Sequence, residues 1–205
     1  MAAALLCVLL LCACDPYDGY RPLDYGDAKW VCKEYGAWFT VKKAENHQCY
    51  GEVVVDGEVV SSTLIRSLIK SGEVDECFKY LGRNYDIGGD VVVGNRLGKS
   101  LGFPTSNIMI DENMVTPPNG VYVTYCIYNG VRYPSVTNVG VKPTVGTFKK
   151  NVETHIFNFN KELYGKHIKV EFLKMIRDEV KFASTDELSE QIARDCLEAK
   201  SYHRL

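Results

Sequence analysis

Six segments between Tyr85 and Ile176 carry the residues of strands, and almost nothing helical separates them. They fall at 85–93, 105–110, 120–128, 131–139, 152–160 and 167–176, each rich in β-branched and aromatic side chains. Asn129-Gly130 separates Tyr122–Tyr128 from the run that starts at Val131, and this dipeptide is the strongest short signal for a two-residue hairpin turn. Six such strands with so few helices among them must hide their edges, and closing the sheet into an antiparallel barrel does that directly. After the strands, Ser184-x-x-Glu187 reads as a capping box that opens a helix over 185–200. Leu188, Ile192, Cys196 and Ala199 recur along that helix at the spacing of a core-facing stripe.

The chemistry concentrates in the loop between the first two strands, Gly94-Asn95-Arg96-Leu97-Gly98-Lys99-Ser100, and in Phe103-Pro104-Thr105-Ser106-Asn107 after it. Glycines let backbone N–H groups approach phosphate oxygens, and a lysine offsets their charge. Thr105 and Asn107, two positions apart on an extended segment, turn a hydroxyl and an amide to one face. Those are hard oxygen ligands of the kind Mg²⁺ accepts beside substrate phosphates. The loop is not a Walker A motif. One spacer residue is missing before Gly98-Lys99-Ser100, and Gly102 and Pro104 follow within a few residues and oppose the helix that such a loop must open. Read alone, the stretch fits either a phosphate loop or an ordinary hairpin connection.

Leu101-Gly102-Phe103-Pro104-Thr105-Ser106-Asn107 resembles the Leu-Gly-Phe-Pro-Thr-Ala-Asn signature of riboflavin kinases, with Ser106 in place of the usual alanine. The resemblance continues in order through Asn119–Tyr122, Asn138–Thr144, Val152–His155, Leu163–Gly165 and Ile176-Arg177 to Lys181-Phe182. Upstream, Val59–Arg66 and Leu81–Arg83 are similar to the segment that precedes the kinase in bacterial two-domain riboflavin kinase/FAD synthetases, so the likeness covers about residues 53–205. It implies a six-stranded antiparallel Greek-key barrel with a C-terminal helix and two short N-terminal helices. Those helices also show in the pattern, with Leu64, Ile65, Leu68 and Ile69 on one face and Val74, Cys77, Phe78 and Leu81 on the next.

The implied reaction transfers the γ-phosphoryl group of ATP to the 5′-hydroxyl of riboflavin, giving FMN and ADP with Mg²⁺. Glu153 matches the catalytic carboxylate of the family; on pattern alone, a mid-strand glutamate is either an outward-facing residue or a base. Thr105 and Asn107 match the Mg²⁺–nucleotide ligands. Gly94, Gly98 and Lys99 are assigned to the phosphate loop, although the loop lacks one glycine that the bacterial family often has. Lys149, Asn151 and Arg177 fall near the flavin-side loops. His155 shares a strand face with Glu153 and is read as structural or supporting. In the family's synthetase half, a Ser-Ser-Thr-x-Ile-Arg segment binds ATP phosphates, and Ser62, Thr63 and Arg66 stand at those positions. The same half needs a His-x-Gly-His element. The histidines here are His47, His155, His167 and His203, so adenylyltransferase activity is not expected.

The rest of the 205 residues divides into 1–14, an apolar run like a signal peptide with a lipobox-like Cys14, and 15–52, an aromatic-rich segment without recognisable chemistry. Residues 53–83 read as the remnant of the synthetase end, and 84–205 as the kinase domain. The leader implies export or lipid anchoring, whereas ATP chemistry implies a cytoplasmic monomer acting on small molecules. A join of two coding pieces near 41–54 would reconcile them. Net charge of -2 and a pI near 6.1 leave no field for nucleic acid. The eight cysteines form no C-x-x-C pattern, and a Cys32–Cys49 disulfide stays open. Two other functions remain: a flavin- or nucleotide-binding barrel without turnover, and a lipid-anchored structural protein.

Overall fold

The computed structural model describes residues 29–32, 37–43, 49–94, 97–110, 114–144 and 147–205, with backbone alone for 29–32, 37–43, 49–52, 97, 142–144 and 147–149. The leader, the lipobox-like cysteine and the side chains of Cys32 and Cys49 lie outside that description. The chain divides into two compact units, Met1–Leu64 and Ile65–Leu205.

In the first unit, β1 (Lys29–Cys32), β2 (Ala37–Lys43), β3 (Cys49–Val55) and β4 (Glu58–Val59) form an antiparallel sheet in that order. Of the stretch 41–54, residues 41–43 belong to β2 and 49–54 to β3, strands that pair from Ala37 opposite Val55 to Lys43 opposite Cys49. This sheet has no counterpart in the strand pattern read from sequence. Its aromatic and glycine-rich composition hides the alternation that marks the later strands.

The second unit holds most of α1 (Ser62–Ser71), then α2 (Cys77–Leu81) and a closed barrel. Its strands are β5 (Tyr85–Val92), β6 (Ser106–Met109), β7 (Gly120–Tyr128), β8 (Val131–Thr144), β9 (Thr147–Ile156) and β10 (His167–Asp178). They close in the order β10-β5-β6-β9-β8-β7. β7, β8 and β9 are consecutive hairpins and β10 returns beside β7, which is the Greek-key arrangement. Asn129 and Gly130 both take positive φ, 50° and 76°, as the tight turn between β7 and β8 requires. The β8–β9 hairpin is longer than the sequence pattern suggests. Pairing continues to Thr144 opposite Thr147, and Pro143 is accommodated opposite Phe148.

Alternation along each strand gives the barrel two separate apolar bodies. Ile87, Ile108, Tyr122, Val139, Val152 and Phe172 fill the interior, with Tyr122 edge-on to Phe172 at 5.3 Å between ring centroids. Outward-facing Val121, Val123, Val136, Phe157 and Leu173 are covered instead by Cys196 and Ala199 of α4 (Thr185–His203). Ser184 caps that helix by accepting from the Glu187 amide at 3.2 Å, and Glu187 reaches back to the Ala183 amide at 3.0 Å. A cap of this kind is worth about 1 kcal/mol.

The interior also contains a line of hydroxyls. Thr124 pairs with Ser135 at 2.8 Å and with Thr137 at 2.8 Å, and Thr137 pairs with Thr154 at 2.9 Å. Ser135 donates to the Thr124 carbonyl at 3.1 Å, and the His203 Nε2–H of α4 donates to the same oxygen at 3.0 Å. All four hydroxyl residues are fully buried, where an unmade hydrogen bond would cost about 1–3 kcal/mol each. No described helix is long and apolar enough to cross a membrane.

Candidate active site

Asn107 and Glu153 stand directly opposite each other across β6 and β9, on the outer face of the barrel. Asn151, two residues before Glu153 and on the same face, links them. Its Nδ2 group donates to Asn107 Oδ1 at 3.1 Å and to Glu153 Oε1 at 3.0 Å. A primary amide has two N–H bonds to give, and Asn151 uses one on each partner. Asn107 Nδ2 in turn lies 3.5 Å from Thr105 Oγ1. Four polar side chains, from β6, β9 and the residue just before β6, are thereby joined into one cluster, in which Asn107 and Asn151 are buried and Glu153 is partly exposed.

The glycine loop packs on this cluster. A Cβ at Gly94 would lie 2.5–2.8 Å from the Asn107 amide group, and one at Gly98 would lie 2.5 Å from the Phe103 carbonyl oxygen. Any larger residue at either position would push the loop off β6. Gly98 belongs to α3 (Leu97–Ser100), one helical turn that carries Lys99 and stops before Gly102 at φ 88°. The sequence opposes a helix at this point, and the structure corrects this to a single turn, which Gly102 and Pro104 keep from going further.

A cleft of about 330 Å³ opens beside the loop. Gly94, Lys99, Thr105 and Asn107 line one side, Val91, Thr154 and Ile156 its floor, and Phe159, Lys161 and Tyr164 the other side. The volume lies within the range of small-molecule sites. The loop side brings Gly94, Lys99, Thr105 and Asn107, and the 159–164 side mixes the rings of Phe159 and Tyr164 with Asn160, Lys161 and Glu162. Glu153 is not in the cleft lining; it lies opposite Asn107 on β9, next to Thr154 of the cleft floor.

Two flavin-side candidates are placed differently. Arg177 lies on β10 in a lateral row of register partners that runs through Val121 and Asn138 to Glu153, three strands away. Its guanidinium is clasped by Asp195 of α4, Nε to Oδ1 at 2.9 Å and Nη2 to Oδ2 at 2.7 Å, while Nη1 donates to the Asp178 carbonyl at 2.9 Å. Asp195 is buried and also accepts from Gln191 at 2.8 Å, so Arg177 serves first to tie strand to helix. The side chain of Lys149 lies outside the described residues. The wall formed by 159–164 was not foreseen, because these residues are more than fifty positions from the glycine loop and carry no spacing signal.

No group of three or more His, Cys, Asp or Glu residues able to hold a metal occurs among the described residues. The oxygens of Thr105 and Asn107 nonetheless suit Mg²⁺, which takes one or two protein ligands and completes its shell with phosphates and water.

The Flavokinase family, described as riboflavin kinase, matches residues 81–203. The chain belongs to the riboflavin kinase family. Among curated proteins it is 40% identical over 146 residues to the bifunctional riboflavin kinase/FMN adenylyltransferase of Bacillus subtilis, covering 70% of this chain and 46% of that protein. It is 39% identical over 150 residues to the Escherichia coli K12 protein of the same description, covering 73% and 48%. The chain thus spans about half the length of the curated relatives it matches. A crystal structure described as a macrolide-efflux protein from Streptococcus pneumoniae is also similar, at TM-score 0.66 and 34% identity over 71% of this chain and 48% of that one. The antiparallel barrel with its outer C-terminal helix is therefore the fold of a family member.

Proposed function

We propose that the barrel catalyses transfer of the ATP γ-phosphoryl group to the riboflavin 5′-hydroxyl, giving FMN and ADP. The observation that carries this reading is the continuous cluster Thr105–Asn107–Asn151–Glu153 at the loop side of the cleft. The adenine ring lies against Phe159 and Tyr164, and the phosphates run past Gly94 and Lys99 to Asn107. Thr105 and Asn107 would hold Mg²⁺, which would supply positive charge to offset that of the transferring group. Glu153 accepts the proton of the attacking hydroxyl, and the Asn151 N–H fixes the direction of its carboxyl group. The flavin lies along the outer face of β8 and β9, beyond Glu153 as seen from the cleft. Lys149 and Asn151 remain the flavin-side candidates at that end, and Arg177 contributes through its position at the far end of the row. We assign the kinase unit to residues 84–205 and no adenylyltransferase chemistry to this chain.

The test uses the full chain with riboflavin, ATP and Mg²⁺, following FMN by chromatography, with Glu153→Gln in parallel. FMN from the parent and almost none from the variant is expected. Flavin or nucleotide binding without FMN from the parent would leave the binding-barrel reading in its place.

A further inference from the structure

The half of the site that faces the nucleotide and the half that carries Glu153 come from different strands, and β6 is only Ser106–Met109. Thr105 precedes its first residue, so ladder hydrogen bonds do not fix the Pro104–Thr105 segment. Another group does. His155, two residues after Glu153 on the same outer face of β9, places Nδ1 2.8 Å from the Pro104 carbonyl oxygen. A carbonyl only accepts, so Nδ1 carries the hydrogen and donates. The ring is held on both sides, edge-on to Phe103 at 5.9 Å and to Phe157 at 5.6 Å. Phe157 belongs to the apolar body under α4, which anchors the imidazole to the rigid side of the barrel. Phe103 is the residue immediately before Pro104, so the histidine grips the segment by its side chain and by its backbone.

We infer that His155 is the positioning residue that sets the Pro104–Thr105–Asn107 segment at its working distance from Glu153. This rests on the reading of Thr105 and Asn107 as nucleotide-side ligands. His155 touches neither substrate; it acts through the Pro104 carbonyl. Burial lowers the His155 pKa, against the opposing effect of the bond to Pro104, and the ring is a donor from Nδ1 in the neutral form that burial favours. Losing the bond frees the segment while leaving the flavin side and the Glu153 carboxyl in place. The signature is a split between substrates.

Three substitutions separate this role from general support of the fold. His155→Phe keeps a ring between Phe103 and Phe157 but removes the donor. His155→Asn keeps an N–H at the place of Nδ1, because both nitrogens are bonded to Cγ. His155→Gln offers the same amide one bond further out. Each is measured for KM toward ATP and toward riboflavin, for the ATP dissociation constant by calorimetry, and for thermal midpoint. The expected result is a rise of about tenfold in KM and Kd for ATP in His155→Phe, the loss of one hydrogen bond. The KM for riboflavin should move less than about twofold on the same scale. His155→Asn should recover most of the ATP affinity and His155→Gln should not. Equal weakening toward both substrates, unchanged ATP affinity in His155→Phe, or equal behaviour of Asn and Gln would overturn the assignment. A parent that binds ATP but forms no FMN would overturn phosphotransfer and leave His155 to be judged on the dissociation constants. A parent that does neither would overturn both.

Discussion

Glu153 and Thr154 are neighbours in sequence and belong to two polar networks on opposite faces of β9, with Thr154 also reaching the cleft floor. Outward, Asn151 joins Glu153 to Asn107 and Thr105 beside a solvent-filled cleft. Inward, Thr154 ends a line of hydroxyls that runs through Thr137 to Thr124 and Ser135 and terminates on a backbone carbonyl. The inner hydroxyls find their partners among themselves and that carbonyl, so the network is complete without a ligand. The outer one presents a carboxyl, an amide and a hydroxyl at a boundary with solvent, where a substrate can engage them. Buried polar groups of the first kind serve the fold, because an apolar interior makes each unmade bond costly. Groups of the second kind are open to a ligand. The period of two along a strand allows one segment to do both.

The contrast is broken most severely by Glu153→Gln. Removing the base should lower the rate of FMN formation by about 10²–10⁴-fold, the usual contribution of a positioned base, with the thermal midpoint unchanged. Thr137→Val should do the reverse. It removes the middle hydroxyl of the inner line and leaves Thr124 and Thr154 short of a partner, at a cost of about 1–3 kcal/mol that denaturant titration would register. FMN formation per folded molecule should stay within about twofold of the parent, a change of under 0.5 kcal/mol in the barrier. A large catalytic loss in Thr137→Val would show that the two networks are coupled.

The smallest effect comes from pH. His203 donates to the carbonyl on which the inner line ends, its Nδ1 is buried with no hydrogen-bond partner among the described residues, and burial lowers its pKa from 6.5. The unfolded chain therefore takes up a proton near pH 6.5 that the fold refuses until a lower pH. Stability is complete above that value, falls as pH drops below it, and levels off once the folded pKa is passed. His203→Gln keeps an N–H at the place of Nε2 without titrating. Its thermal midpoint should decline less than the parent's between pH 7 and pH 5, by about a few degrees at most.

Much of this was legible in the sequence because it depends on local pattern. Asn129-Gly130 announced its turn, Ser184 and Glu187 their cap, and the alternating segments their strands. Phe103–Asn107 and Glu153 announced the family. What escaped was set by distance along the chain. Nothing near Arg177 indicates that Asp195 will clasp it, and nothing near Lys99 indicates that Phe159 and Tyr164 will form the opposite wall. Thr124, Ser135, Thr137 and Thr154 look like the polar positions of half-exposed strands, and only closure of the barrel turns them inward. The sheet at residues 29–59 was missed because its strands lack the clean alternation of the others.

The closed barrel has one narrow fastening. β8 and β9 pair from Ser135 opposite Ile156 to Thr144 opposite Thr147, whereas β5 meets β6 only through Val91 opposite Ile108 and Val92 opposite Asn107. Beside that clasp, Val91 bonds instead to the backbone of Gly165 and Lys166. A hoop opens where its seam is shortest, so spontaneous excursions of this backbone begin there, and its amides should exchange with solvent sooner than those of the long hairpin. The cleft lies over the same seam. A molecule lodged between Gly94, Asn107 and Tyr164 would then act as a rivet across it, and by mass action the tightness of the ring and the occupancy of the cleft would rise and fall together.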